Sequence, residues 1–331
     1  MTDHLLTSID ERWRSTVDGG GRLLAWSTGG RLLVVGADGH TIVDEPHKTT
    51  EPMTPDPVDA AWIGEGRVVI ADAVLGAVFA GSGPSENNDV LGASRVKSVD
   101  GHTVLGGDDV VALFDAARHT SSPRVVGTGI GPCHTLDHIG GSQWAVGGTR
   151  GLIVLDAEAG TVEARVDLDG VRASTAAATA RRFVVADLGG VLHVLDLDHI
   201  TPGIELHGSA EPVRHLAVGA AGDLVVAAAQ EDLSWWRLDA VGHPTHEPEW
   251  VAAHDEPVTA LAMGASDLVA SGDAGGTVRI WSPLMIDYPV ASLALDDEIV
   301  AVAWRPGGTT LAVASMSGSV VVCDVTAGAL A

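Results

Sequence analysis

The chain has almost no lysine. Lys48 and Lys97 are the only two; every other basic group is arginine, and 19 basic residues face 44 acidic ones for a formal charge of −25. Nucleic-acid binding needs basic patches set against phosphate, and none is visible in the sequence. The same charge repels an anionic membrane surface. Cysteine is equally scarce. Cys133 and Cys323 lie far apart, which argues against a disulfide framework or a cysteine metal site, and Cys323 sits in an apolar stretch where a buried free thiol is expected. No run of 18 apolar residues exists, so no membrane-spanning helix is expected. Residues Met1 to Glu11 have no basic start and no long apolar stretch, so they do not read as a signal peptide, and the expected location is cytoplasmic. There is no Gly/Ser spacer. The proline-rich stretch from Glu45 to Pro57 reads as a loop or an irregular edge strand.

What is present is a repeat of about 40 residues, a period that marks a repeat architecture. Eight times an apolar strand enters a small Gly/Ala/Asp turn and returns as a second apolar strand. The turns and return strands lie at 38–43, 76–79, 110–115, 151–156, 190–196, 233–236, 276–281 and 319–324. Upstream apolar strands stand at 23–26, 58–62, 213–218, 258–263 and 299–304, and weaker, more polar ones downstream at 161–166, 246–251 and 289–293. Four short antiparallel strands per period, without helical periodicity between them, describe a propeller blade. The middle strands are apolar nearly throughout, as burial on both faces requires. The polar outer strand suits an exposed edge.

The expected fold is therefore an all-β β-propeller, residues 1–331 forming one domain, with four antiparallel strands per blade. Eight blades are preferred over seven, the weaker units lying around Ala80 and Phe114. After Cys323 only a short tail remains, so an N-terminal strand around Arg12 to Val17 is expected to complete the last blade and close the ring.

Two units resemble WD40 repeats. In one, Ala253-His254 stands where that family often has Gly-His, and Trp281-Ser282 where it has Trp-Asp. In the last, Val302 to Gly308 precedes Leu311 to Ser315, and Cys323-Asp324 replaces Trp-Asp. The other six units are eroded. In the family an Asp of the turn between second and third strands bonds to the Gly-His histidine. Gly275 and Ser317 occupy that neighbourhood here, so the resemblance implies an incomplete polar network and stability drawn mainly from apolar packing between blades.

No residue pattern points to catalysis. His243, His246, Glu247 and His254 are the densest histidine group, but their spacing matches no zinc motif. His134 and His138 would share a face only on a helix, and read as polar strand-and-turn residues. Gly127 to Gly131 lacks the following helix and the Gly-Lys-Ser/Thr of a phosphate loop. Trp235, Trp236, Trp26, Trp62 and Trp304 read as core. No cofactor and no metal are expected.

The resulting expectation is a non-catalytic interaction scaffold, a subunit of a hetero-complex, with neither nucleic acid nor membrane as partner. Loops on one face would select the partner. His207, Glu211, His254, Asp255, Asp296 and Asp297 would come from the loops before the innermost strands. Arg150, Gln230, Glu231, Asp273 and Met316 would come from the turns between second and third strands. Their acidity favours a partner with a basic surface. The alternative is an enzyme or small-ligand binder using the central channel, which needs polar groups converging from several innermost strands; Arg172, His134 and His215 are candidates.

Overall fold

The computed structural model describes residues 7–17, 20–37, 39–44, 47–52, 57–63, 67–73, 76–81, 86–88, 93–99, 101–115, 123–177, 181–197, 202–208, 211–264 and 267–327. Among them every regular element is a β-strand. The chain forms two compact units. An N/C unit comprises Met1–Met53, Val226–Trp235 and Glu249–Ala331, and a middle unit comprises Thr54–Val225 and Trp236–Pro248.

In the N/C unit, β1 (Thr7–Thr16) precedes an antiparallel sheet of β2 (Leu23–Trp26), β3 (Leu32–Val35), β4 (Gly39–Asp44) and β5 (His47–Pro52). The proline-rich stretch thus supplies an edge strand. The middle unit opens with the sheet β6 (Pro57–Ile63), β7 (Arg67–Asp72), β8 (Gly76–Gly81), β9 (Glu86–Asn88). A seven-stranded sheet follows: β10 (Arg95–Val99), β11 (His102–Gly106), β12 (Asp108–Asp115), β13 (Arg124–Gly140), β14 (Gln143–Gly148), β15 (Gly151–Asp156), β16 (Thr161–Val166). Next come the sheet β17 (Ala173–Ala177), β18 (Arg182–Ala186), β19 (Leu192–Asp196), β20 (Pro202–Leu206), and then β21 (His215–Val218). The boundary between the units runs through β22 (Leu224–Ala229) and β23 (Asp232–Arg237). The N/C unit resumes with β24 (Glu249–Ala252), paired to β23, and the sheet β25 (Val258–Met263), β26 (Val269–Asp273), β27 (Thr277–Trp281), β28 (Ala291–Ala294). It ends with β29 (Ile299–Trp304), β30 (Thr310–Ser315) and β31 (Ser319–Ala327).

Two departures from four consecutive strands per sheet have clear causes. The last sheet takes its fourth strand from the N-terminal region: β1 pairs antiparallel with β31 from Thr7↔Ala327 to Thr16↔Ser319. This covers the edge that β31 would otherwise leave open. The seven-stranded sheet arises because β13 serves twice. Its first residues pair with β12 from Leu113↔Arg124 to Val110↔Gly127, and from Cys133 onward it pairs with β14. Between these roles Gly129 and Gly131 take φ of +67° and +76°, conformations open to glycine at little cost. A Cβ on Gly131 would run into the Thr149 hydroxyl. The glycine-rich segment is the bend of a shared strand.

The second strands carry the core. All four residues of β3 and all six of β22 and β30 are buried, whereas the outer strand β16 alternates exposed and half-buried residues along most of its length. In the middle unit Phe79 and Phe114 meet edge to face with centroids 5.2 Å apart, among Val69, Leu105 and Ala112. Trp144 packs with Val146, Ile153 and Leu155. In the N/C unit Leu311, Val313 and Cys323 pack with Ala270, Val278 and Ile280. Trp235 and Trp236 are each almost fully buried. Burial pushes the Cys133 and Cys323 thiols up to about 12, and both are free.

First strands of neighbouring sheets in the N/C unit are tied by indole rings. Trp26 Nε1 on β2 donates to the Ala303 carbonyl on β29 at 3.0 Å, and Trp304 Nε1 donates to the Ala262 carbonyl on β25 at 3.2 Å.

Candidate functional site

Within the N/C unit, the turns between second and third strands and the loops before first strands are joined by main-chain hydrogen bonds. Glu231 O accepts the N–H groups of Ala253 and His254 at 3.0 Å each, and Gln230 O accepts that of Val258 at 2.7 Å. Pro257 O accepts from Ala274 at 3.0 Å, Gly276 O from Leu295 at 2.8 Å, and Glu298 O from Met316 at 2.8 Å. Gly276 holds φ +87°, and a Cβ there would lie 2.8 and 2.9 Å from the Leu295 and Asp297 carbonyl oxygens, so the junction requires glycine. The two loop sets of this unit therefore share one side.

The exposed side chains on that side include Glu231, Asp255, Glu256, Asp296, Asp297, Met316 and Ser317, with Gln230 half-buried at φ +51°. Asp255 is 95% exposed and lies 3.6 Å from Arg279. Asp296 accepts the hydroxyls of Ser317 at 3.2 Å and Ser319 at 3.1 Å. Its own backbone N–H and the Ser319 hydroxyl hold its carboxyl below the usual range.

His254 and Asp273, expected on this surface, are instead buried at 4% and 2% exposure. They belong to a closed polar network. His254 Nδ1 lies 2.8 Å from Asp273 Oδ2, and His254 Nε2 lies 2.6 Å from Ser271 Oγ. Trp281 Nε1 donates to Ser271 Oγ at 2.8 Å, and the Thr277 N–H donates to Asp273 Oδ1 at 2.7 Å. One assignment satisfies every group: Nδ1–H donates to Asp273, and the Ser271 hydroxyl donates to an unprotonated Nε2. Burial pushes the His254 pKa down against the opposing pull of Asp273, which agrees with a neutral ring. The expectation of an incomplete network built around Gly275 is thus wrong for this sheet. The acceptor is Asp273, two residues earlier, at the end of β26 rather than inside the turn.

The same device recurs. Asp187, the residue after β18 and just before Leu188-Gly189-Gly190, accepts the Val191 N–H at 2.9 Å and pairs with His193 Nε2 at 3.0 Å. Ser315 Oγ accepts the Ser319 N–H at 3.2 Å. The signal was present as Asp-x-Gly-Gly in both aspartate cases.

A family model described as "WD domain, G-beta repeat" matches residues 247–282, the segment that contains His254, Ser271, Asp273 and Trp281. That segment carries a WD40 repeat, as its resemblance in the sequence implied. A curated relative, "Periodic tryptophan protein 2 homolog" of Schizosaccharomyces pombe, is 29% identical over 116 residues, covering 34% of this chain and 13% of the relative's length. Among solved structures, the crystal structure of the computationally designed Ika8 protein superposes with a TM-score of 0.76 at 17% identity, over 94% of this chain and 98% of that one. That likeness concerns the fold alone, an all-β fold of the propeller-like kind.

The remaining candidates lie in the middle unit. Arg150 is exposed, but its guanidinium is engaged: Nη2 reaches both Asp109 oxygens at 2.7 and 2.6 Å. Asp109 in turn accepts the Gly131 N–H at 2.6 Å; that bond, followed by Arg150, lowers its pKa. His207 is exposed beside Glu205 at 3.3 Å, and its carbonyl accepts Trp236 Nε1 at 3.3 Å. Glu211 is exposed just before β21. His134 and His138 both lie on β13, where His138 packs on Trp144 with centroids 5.1 Å apart. Among the described residues no three His, Cys, Asp or Glu side chains are grouped as metal ligands.

Proposed function

We propose that this WD40-repeat chain is a closed eight-bladed propeller that works as a non-catalytic platform for protein assembly. Dividing the seven-stranded sheet at the bend of β13 supports this count, since among the described residues it leaves eight successive groups of four strands. The pairing of β1 with β31 is the closure such a ring needs.

The partner surface is the loop side of the N/C unit. The observation that carries this reading is the main-chain-linked rim on which Glu231, Asp255, Asp296 and Asp297 stand exposed together with Met316, itself 52% exposed. A rigid frame presenting several carboxylates beside one flexible apolar side chain suits a basic protein surface with an apolar anchor. The WD40 repeat at 247–282 accords with this. Fold alone would not establish it.

The test is capture of partners on the full chain bearing Asp255→Ser, Asp296→Ser and Asp297→Ser together, with captured proteins identified and quantified. Loss of a basic partner that the wild type retains at low salt and releases at high salt is the expected result. Unchanged capture by the triple variant would rule this surface out.

A further inference from the structure

The last strands of the sheets differ in charge. β1 carries Glu11, β5 Glu51, β9 Glu86, β16 Glu163, β20 Glu205 and β24 Glu249. β28 reads Ala291-Ser292-Leu293-Ala294 and has no charged residue. Charge on an edge strand keeps other chains from pairing with its free main-chain groups. β28 lacks that protection. Among the described residues it pairs along one edge only, with β27, from Thr277↔Ala294 to Ile280↔Ala291. Ser292 and Ala294 are exposed, and the largest side chain on the strand, Leu293, is half-buried.

The loop that leads into β28 adds apolar surface. β27 ends at Trp281, so Ser282 to Val290 lies at the end of this sheet opposite the Gly276–Leu295 junction. Leu284 is 82% exposed and Tyr288 70%, two of the three most exposed large apolar side chains among the described residues. The loop is held in place. Met285 N–H donates to the Ser282 carbonyl at 3.0 Å, Leu284 N–H to Ser282 Oγ at 3.3 Å, and Val290 N–H to the Ile280 carbonyl at 2.7 Å. Anchors positioned in this way lose little freedom on contact. From Ser282 to Ala294 only Asp287 is charged.

Charge decides what can approach this edge. Two chains of charge −25 repel each other, as like-charged surfaces do. A basic foreign strand is drawn first to the glutamate-bearing edges, whereas a second copy of this chain is repelled at those edges and least repelled at β28. Antiparallel pairing about a twofold axis sets small, uncharged side chains against their own kind. It also places the Asp296 end of one β28 beside the Val290 end of the other, so the acidic loops stay at opposite ends of the paired strands.

We propose that β28 is the contact through which two copies of this chain associate, pairing antiparallel with its counterpart while Leu284 and Tyr288 of each copy pack at the flanks. One short strand and two apolar anchors make a small interface, so the dimer is weak and concentration-dependent. Its salt response is opposite in sign to that of a basic partner on the acidic loops. Salt screens the repulsion between copies and tightens the dimer. The contact does not rest on the acidic loop side and is tested apart from it.

The test is sedimentation equilibrium of the purified full chain, over a wide concentration range at low and at high salt. A monomer–dimer equilibrium that tightens with salt is expected, with the Ala291–Ala294 amides exchanging more slowly where the dimer is populated. Ser292→Glu gives this edge the charge that the other last strands carry and should abolish the dimer. Leu284→Ser and Tyr288→Ser should each weaken it by about tenfold. Val241→Ser, at a side chain 73% exposed on another loop, should leave it unchanged. All four residues are exposed, so each variant keeps the folded chain. A chain that stays monomeric at every concentration and salt, which would leave the edge to a foreign strand, overturns the proposal. So does a dimer that Ser292→Glu leaves intact, or one that Val241→Ser weakens as much as Leu284→Ser.

Discussion

Asp273 accepts a hydrogen bond from His254 Nδ1–H at 2.8 Å while its other oxygen caps the Thr277 N–H at 2.7 Å. One side chain thus fixes both the loop entering β25 and the turn leaving β26. Asp273→Ala strands two donors in a buried setting, and the expected cost is about 2–4 kcal/mol. Urea unfolding followed by tryptophan fluorescence measures it. Ser271→Ala should cost less, about 1–2 kcal/mol, because the ring and indole lose one shared partner rather than an ionic one.

Acid should weaken the fold well above the carboxylate range. The folded-state pKa of His215 lies at about 4, depressed by burial and Arg214, and His254 shifts the same way. As pH falls through about 6.5 the unfolded chain takes a proton that the folded chain refuses until about 4, so stability is lost across that window. The expected loss attributable to His215 between pH 7.5 and 5 is about 1–2 kcal/mol. His215→Gln should flatten the profile in that range; an identical slope in the variant would show that His215 is not its source.

The indole bonds between first strands give a third outcome. Trp304→Phe keeps most of the ring but leaves the Ala262 carbonyl without its donor, and Trp26→Phe does the same to Ala303. Each should cost about 1 kcal/mol. Because the two bonds share β29, a double-mutant cycle is expected to show coupling between them.

Removing residues 1–17 would expose the edge of β31. An open edge that pairs Thr7 through Thr16 in the intact chain is a template for another chain. Size-exclusion chromatography should show concentration-dependent association of the shortened protein. A well-behaved monomer would mean that β31 is protected in some other way.

Much of the fold was legible because strand pairs buried on both faces leave long apolar signatures. The stretch Leu311 to Ser315 announced a second strand, and it is wholly buried in β30. The N-terminal strand expected around Arg12 to Val17 is found as Thr7–Thr16, paired with β31. The dual role of β13 was not legible, since nothing in Gly127 to Gly131 distinguishes a bend within one strand from a loop between two. The candidate site was harder still. Asp255, Asp273 and His254 are all polar loop-side residues in sequence, yet one is 95% exposed and the others are buried. Which side chain turns inward depends on partners 17 and 19 residues away. Convergence of Lys97, Asp137 and Ser174 spans 40 and 37 residues, a distance over which single residues carry no pairing signal.

The shared strand has a mechanical meaning. Where each sheet owns its strands, one sheet can peel away while its neighbour stays folded. The continuous backbone of Arg124–Gly140 denies that freedom to the sheets on its two sides: tension that frees its first residues from β12 is delivered at once to the registry with β14. Under force, or in slow amide exchange, these two sheets should open as a single cooperative step, whereas sheets joined only by turns can open one at a time.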